Sequence, residues 1–449
     1  VKDWSAEQVA AAAGAQVVGG AAARGSRPAR VIVDSRIAGA GDLFVALPGA
    51  HTDGGRFAAD ALAAGAWGVL AESSHLERLG EPGAAVLLAC GDPLSALGRL
   101  ARAWRRELGA KVVAITGSSG KTSTKDILTA LLAPALATVA SPRNHNTEVG
   151  LPLAILGAGA GTQALVLELA MRGAGQIAEL TAICEPDVGV VVNVGPAHLE
   201  LLGSIEAIAA AKGELIAGLR PGASAVVPAR EPLLDPFLRE DLDVVRFGEG
   251  GEVAVLEAGD DGVLVALRER RLRLEPNFRS PHLLIDLCAA LAAAGALGVA
   301  VPDGALAVEF SALRGERLAL ADGVVVINDC YNANPMSMRA ALDELARTAA
   351  GRRVAVLGDM LELGERDERR YHLDLGEQAR EAGVALLVTV GERAAWAGES
   401  FAGGEHVHAL DAPGAAALLR SRLAPGDTVL VKGSRAVALE RVAQALAGD

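Results

Sequence analysis

The residues with the clearest chemical use are Thr116-Gly117-Ser118-Ser119-Gly120-Lys121-Thr122-Ser123-Thr124, which follow the apolar run 111–115 and precede a helical pattern. A strand, a glycine-containing loop and Lys-Thr at a helix start are the parts of a polyphosphate cradle. Backbone N–H groups at a helix N-terminus face the anion, and Gly117 and Gly120 let the backbone come close to it. Lys121 would neutralise β- and γ-phosphate charge, and the Thr122 hydroxyl would hold Mg²⁺. Ile115 stands where the longer form of this motif has its first glycine, so only the core Gly117–Thr122 is met.

Two further groups fall at strand ends. The run 165–167 finishes at Glu168, and the run 191–194 is soon followed by His198. Ligands of open α/β sheets sit at the carboxyl ends of the strands. A carboxylate there would suit a hard cation, although an exposed strand-end acid reads as well for Glu168 alone. Beside a phosphate loop, His198 becomes a second ligand candidate. Lys212 lies on a helical pattern, where the residues alone suggest a solvated side chain.

The elements needed to position these groups are legible as three segments. In each, short β-branched runs alternate with Ala/Leu-rich helical patterns, the mark of parallel α/β layers. Residues 1–108 hold strand candidates at 31–34, 43–47, 68–71 and 85–89, with helices at 55–64 and 93–107. Residues 109–312 hold strands at 111–115, 164–169, 188–193 and 223–228. Within them, 241–280 reads as an antiparallel ribbon and 282–298 as a helix. Residues 313–449 hold strands at 324–328, 354–357, 386–390 and 428–431.

Composition removes other classes. The 449 residues carry 42 Lys+Arg against 55 Asp+Glu, a net charge of −13, which opposes nucleic-acid binding. With 51% hydrophobic residues the chain is not disordered. Cys90, Cys184, Cys288 and Cys330 form no close pair, so neither a disulfide framework nor a cysteine zinc site is expected. No signal peptide is visible at the N-terminus. The longest uncharged stretch, 149–167, carries Pro152 and several glycines, so no membrane span is expected and the cytoplasm is the expected location.

At this point the motifs resemble the Mur ligase family, ATP-dependent amide-forming enzymes of peptidoglycan synthesis. The phosphate loop resembles the family's T-G-[ST]-x-G-K-T, and Asn144-His145-Asn146 followed by Gly150 and Pro152 resembles its Asn-rich loop. The resemblance puts Glu168 and His198 on Mg²⁺ ligands. It puts Lys212 on a lysine carbamylated by CO₂ that holds a second Mg²⁺. It also makes Arg317 and Asp329 nucleotide contacts. Lys432–Arg435 matches a closing motif. The blocks 328–338 and 356–365 resemble those of the branch that adds D-alanyl-D-alanine. Tyr331, Asn332 and Asn334 would then lie on the D-alanyl-D-alanine side, with core packing an equal reading for Tyr331. Ser35 and Arg36 resemble the UDP-sugar-binding domain, with His51 and Asp53 following, and Asn144 and Asn146 would also serve the UDP substrate.

The resemblance implies an α/β protein of three domains. These are a smaller N-terminal α/β domain, a central P-loop ATPase with a mostly parallel sheet, and a Rossmann-like C-terminal domain. It implies ATP and two Mg²⁺ as cofactors, UDP-N-acetylmuramoyl-tripeptide and D-alanyl-D-alanine as partners, and a monomer. The expected reaction passes through an acyl phosphate. One departure stands out: Asp286 occupies the place of an adenine-reading Asn. A carboxylate accepts from N6–H but cannot donate to N7, so weaker discrimination of ATP from GTP is expected. Folylpolyglutamate or cyanophycin-type synthetases share the loop but would lack the block around Tyr331. A scaffold with a dead ligase core would lack Lys121, Glu168 or His198. A P-loop kinase or motor would leave the outer segments without a use.

Overall fold

Apolar β-branched runs buried on both faces form strands only where helices cover both sides, and that condition holds three times along this chain. The computed structural model describes residues 4–20, 26–49, 52–79, 83–142 and 144–448; His51 lies outside them. Among the described residues the strands form three sheets, of five, ten and six strands.

The first sheet runs in the order Gln16–Gly19, Val86–Cys90, Gly68–Glu72, Asp42–Val45, Arg30–Ile32, parallel except for its first pair. At the centre of the second sheet Lys111–Thr116 lies between Val188–Val191 and Ala164–Glu168, all parallel. That arrangement brings the ends carrying the phosphate loop, Glu168 and the His198 turn to one edge. The ribbon expected over 241–280 divides in two. Asp243–Phe247 continues the parallel part beside Ser224–Pro228, and the antiparallel turn-backs begin only at Val253–Gly259, followed by Gly262–Leu267 and Arg270–Pro276. All belong to one ten-stranded sheet. The third sheet is parallel except for its edge strand Glu316–Ala319.

The helix Pro93–Leu108 begins under Asp92, whose carboxylate accepts from the N–H groups of Leu94 and Ser95, and ends at Gly109 in the left-handed region. It packs on both neighbouring layers. One apolar cluster therefore joins Leu43 and Leu88 of the first sheet to Leu97 and Trp104 of this helix and to Val112 and Leu165 of the second sheet. Helix Pro281–Ala296, rich in alanine, covers the other face of the second sheet together with Lys121–Leu132. No helix among the described residues is long and apolar enough to cross a membrane.

Candidate active site at the phosphate loop

Gly120 caps the helix Lys121–Leu132 with φ of 77° and offers no side chain, so the helix's first N–H groups are left without a capping acceptor. A Cβ at this position would collide with Asp286 and Val192. The loop is fastened to the neighbouring strand end. Ser119 N–H donates to Asn193 Oδ1 at 2.9 Å, and Asn193 Nδ2 donates back to Ser119 O at 3.1 Å. The Ser118 hydroxyl donates to Gly195 O at 2.8 Å and accepts from Gly195 N–H at 3.0 Å. Lys121 Nζ bends over the loop to Gly117 O at 2.7 Å. Burial lowers the Lys121 ammonium from its ordinary range, against the opposing pull of Glu168 and with the added push of Arg314.

Glu168 is 3% exposed, and each of its oxygens is engaged. Oε2 accepts from the Thr122 hydroxyl at 2.9 Å and Oε1 from Asn146 Nδ2 at 3.0 Å. Its N–H donates to Ser141 Oγ at 3.1 Å. Asn146 thus meets the carboxylate at the sheet edge, whereas Asn144 lies in an exposed turn. A carboxylate, a hydroxyl and an amide side by side are donors that suit Mg²⁺. Lys212, on the helix Ile205–Ala217, is 1% exposed and has no hydrogen bond or ion pair with any described residue. Burial first, and then the Lys121 charge, push its ammonium well below the ordinary lysine range. His198 adopts φ of 60°, and its Nδ1 lies 2.5 Å from Glu362 Oε2. That hydrogen bond lowers the Glu362 carboxyl, against its burial.

Asp286 is 4% exposed and sits beneath the loop, its Oδ2 2.5 Å from Ser123 Oγ. Burial raises its carboxyl to about 7.

The third segment reaches this site with residues of two kinds. Asn334 caps the helix Pro335–Thr348, accepting from Ser337 N–H at 2.9 Å, and its Nδ2 donates to Ser118 O at 2.9 Å. Lys432 Nζ pairs with Asp329 Oδ2 at 2.6 Å and donates to Asn332 O at 3.1 Å, which shapes the turn holding Tyr331. Arg314 places its guanidinium 4.0 Å from the Tyr331 ring centroid and donates to Thr122 Oγ1 at 3.2 Å. Sequence reasoning passes over Arg314 and selects Arg317. Arg317 meets Glu344 at 3.2 Å and Thr348 at 2.7 Å, and Glu344 in turn accepts from Ser280 of the central segment. Arg314 sits between Leu313 (φ 63°) and Gly315 (φ 72°), in a kinked linker at the segment junction. Ser35 and Arg36 form an exposed single turn capped by Asp34, with Arg36 Nε 2.9 Å from its Oδ1. That turn follows strand Arg30–Ile32 of the first sheet.

The Mur ligase middle domain matches residues 115–294, and the Mur ligase, glutamate ligase domain matches residues 313–435. The UDP-N-acetylmuramoyl-tripeptide–D-alanyl-D-alanine ligase of Mycobacterium tuberculosis strain H37Rv is 36% identical, over 97% of this chain and 97% of its own. Among solved structures, MurF from Acinetobacter baumannii superposes with a TM-score of 0.86 at 29% identity, covering 99% of each chain. The MurF ligase of Thermotoga maritima in complex with ADP gives 0.80 at 31% identity, covering 93% of this chain and 96% of that one. With a phosphate loop facing a buried acid and amine, and relatives matched from end to end, this chain belongs to the Mur ligase family.

Proposed function

We propose that this chain is an ATP-dependent ligase that joins D-alanyl-D-alanine to the terminal carboxyl of UDP-N-acetylmuramoyl-tripeptide, yielding the pentapeptide, ADP and phosphate. The observation that carries this reading is the hydrogen bond from Asn334 to Ser118, which lays the Tyr331–Pro335 block directly on the phosphate loop.

A carboxylate forms no amide near neutrality until one of its oxygens becomes a leaving group. ATP supplies that by transfer of its γ-phosphoryl group, a step that needs positioning and charge neutralisation more than covalent help. Lys121 and the uncapped N–H groups hold the triphosphate, with Arg314 beside Thr122 adding a second positive charge. Mg²⁺, when bound, screens the triphosphate and the transferring group. Thr122 and Glu168 would hold one ion, and His198 together with Lys212, once carbamylated, would hold the other. Lys212 suits that role because burial and the Lys121 charge favour its neutral amine, the form that adds CO₂ and loses a proton to become a carboxylate. The amine of D-alanyl-D-alanine then attacks the acyl phosphate and displaces phosphate. Tyr331, Asn332 and Asn334 line its approach, and closure of the third segment keeps water out. Ser35, Arg36 and Asn144 serve the UDP end, and Arg317 and Asp329 steady the closing face.

We assign residues 1–108 to UDP-substrate binding, 109–312 to ATP binding and 313–449 to ligation, in a monomer working in the cytoplasm. Phosphate release measured with UDP-N-acetylmuramoyl-tripeptide, with and without D-alanyl-D-alanine, tests the reaction. Carboxyl ¹⁸O must appear in the released phosphate, and its absence would exclude an acyl phosphate.

A further inference from the structure

The geometry points to Glu362 as a positioning residue for the metal site: from the third segment it orients the His198 imidazole, so that the site is completed only when the segments close. This rests on the reading of His198 as a metal ligand.

The His198–Glu362 contact uses Nδ1, and Nε2 has no hydrogen bond among the described residues. An imidazole that binds a metal through one nitrogen commonly donates the other N–H to a carboxylate, which fixes the tautomer and the ring plane. Here the carboxylate comes from across a segment boundary, 164 positions away in the chain.

A chance surface pair would contribute little, about 0–1 kcal/mol, and would not account for how much structure aims it. His198 and Glu362 both adopt the left-handed region, at φ of 60° and 64°, a conformation that disfavours side chains other than glycine. The Glu362 turn is anchored by the two residues just before it. Met360 N–H donates to His372 Nε2 at 3.0 Å, and Leu361 N–H donates to Ser434 Oγ at 3.0 Å. Across the boundary, Glu200 N–H donates to Glu362 O at 3.1 Å, and Gly364 (φ 77°) lies against the Glu200 backbone. The turn is therefore docked by backbone contacts two residues beyond the histidine, leaving the Glu362 side chain to meet the ring.

The test is Mn²⁺ titrated into the full chain with a non-hydrolysable ATP analogue and followed by electron paramagnetic resonance, beside thermal melting. Glu362→Ala should weaken Mn²⁺ binding about 10–100-fold with little change in melting temperature. Glu362→Gln, which still accepts from Nδ1–H, should recover most of that loss. In a His198→Ala background, Glu362→Ala should cost nothing further. Parent-like Mn²⁺ binding in Glu362→Ala, or an equal loss without His198, would overturn the inference. Unchanged Mn²⁺ binding in His198→Ala would overturn it together with the metal reading beneath it.

Discussion

The two seams of the molecule are built from opposite materials. Between the first and second sheets the core is continuous: Trp104 meets Trp4 edge-to-face at 5.4 Å, its indole N–H donates to Ala158 O at 2.9 Å, and Leu97 and Leu151 fill the layer around it. Between the second and third sheets the contacts are mostly polar: Asn334 to Ser118, Arg314 to Thr122, Glu362 to His198, Glu200 N–H to Glu362 O and Ser280 to Glu344 at 2.6 Å, with Met336 lying against Gly195. The apolar clusters of the third sheet are separate, with only Tyr371 shared. An apolar seam cannot part without exposing its area, at roughly 25 cal/mol per Å². Polar contacts can be exchanged for water at a net cost of about 1 kcal/mol each. The seam to the third segment is therefore the one expected to part more readily, while the first two segments share one core.

The comparison breaks first if Trp104→Ala is tolerated. Removal of that side chain should destabilise the protein by about 3–5 kcal/mol, read by denaturant unfolding, with UDP-substrate binding falling alongside. Lys121→Ala should leave UDP-substrate binding nearly intact while turnover falls at least about 10²–10³-fold, the scale expected for loss of one charge-stabilising donor. Calorimetry beside an activity assay separates the two, and equal loss of both would contradict a division of labour between the seams.

Asp286 tests the floor under the loop. Its carboxyl sits at about 7 in the fold, above the ordinary aspartate value near 4. The folded protein thus favours the protonated form. That stabilisation is complete below about pH 4 and is lost as pH rises through about 7. Asp286→Asn should raise stability by about 4 kcal/mol at pH 8 and by much less at pH 4. Melting curves at the two pH values check this, and equal shifts would mean the carboxylate is not desolvated. The smallest effect belongs to the polar seam. Asn334→Ala should reduce kcat/KM for D-alanyl-D-alanine about tenfold, roughly 1.4 kcal/mol, and leave the melting temperature almost unchanged. A large drop in stability would make that contact structural.

The parts of this architecture that the chain announces locally are those with a strong local cause. Buried β-branched runs such as 111–116 and 386–390 and the capped helix 93–108 follow from pattern alone. The edge strands Gln16–Gly19, Thr138–Ala140 and Gly304–Leu306 do not, being short and lacking a continuous apolar run. In the site, the loop and Glu168 were legible because glycine, lysine and a strand-end acid each have a local reason to be there. What pairs across the chain was not. The motif position of Asp286 implies a contact with adenine, and nothing local in the sequence announces that its carboxylate also meets Ser123, 163 positions away. Arg314 and Arg317 differ by three positions, and nothing in either residue tells which meets Thr122 of the loop and which meets Glu344. Glu362 lies in a block marked only by resemblance, and nothing in it names His198 as a partner until the third segment is folded.

The two-way clasp of Asn193 on Ser119 means that the nucleotide meets a cradle already shaped for it. Little chain entropy is then lost on arrival, so more of the contact energy is kept as affinity for the nucleotide.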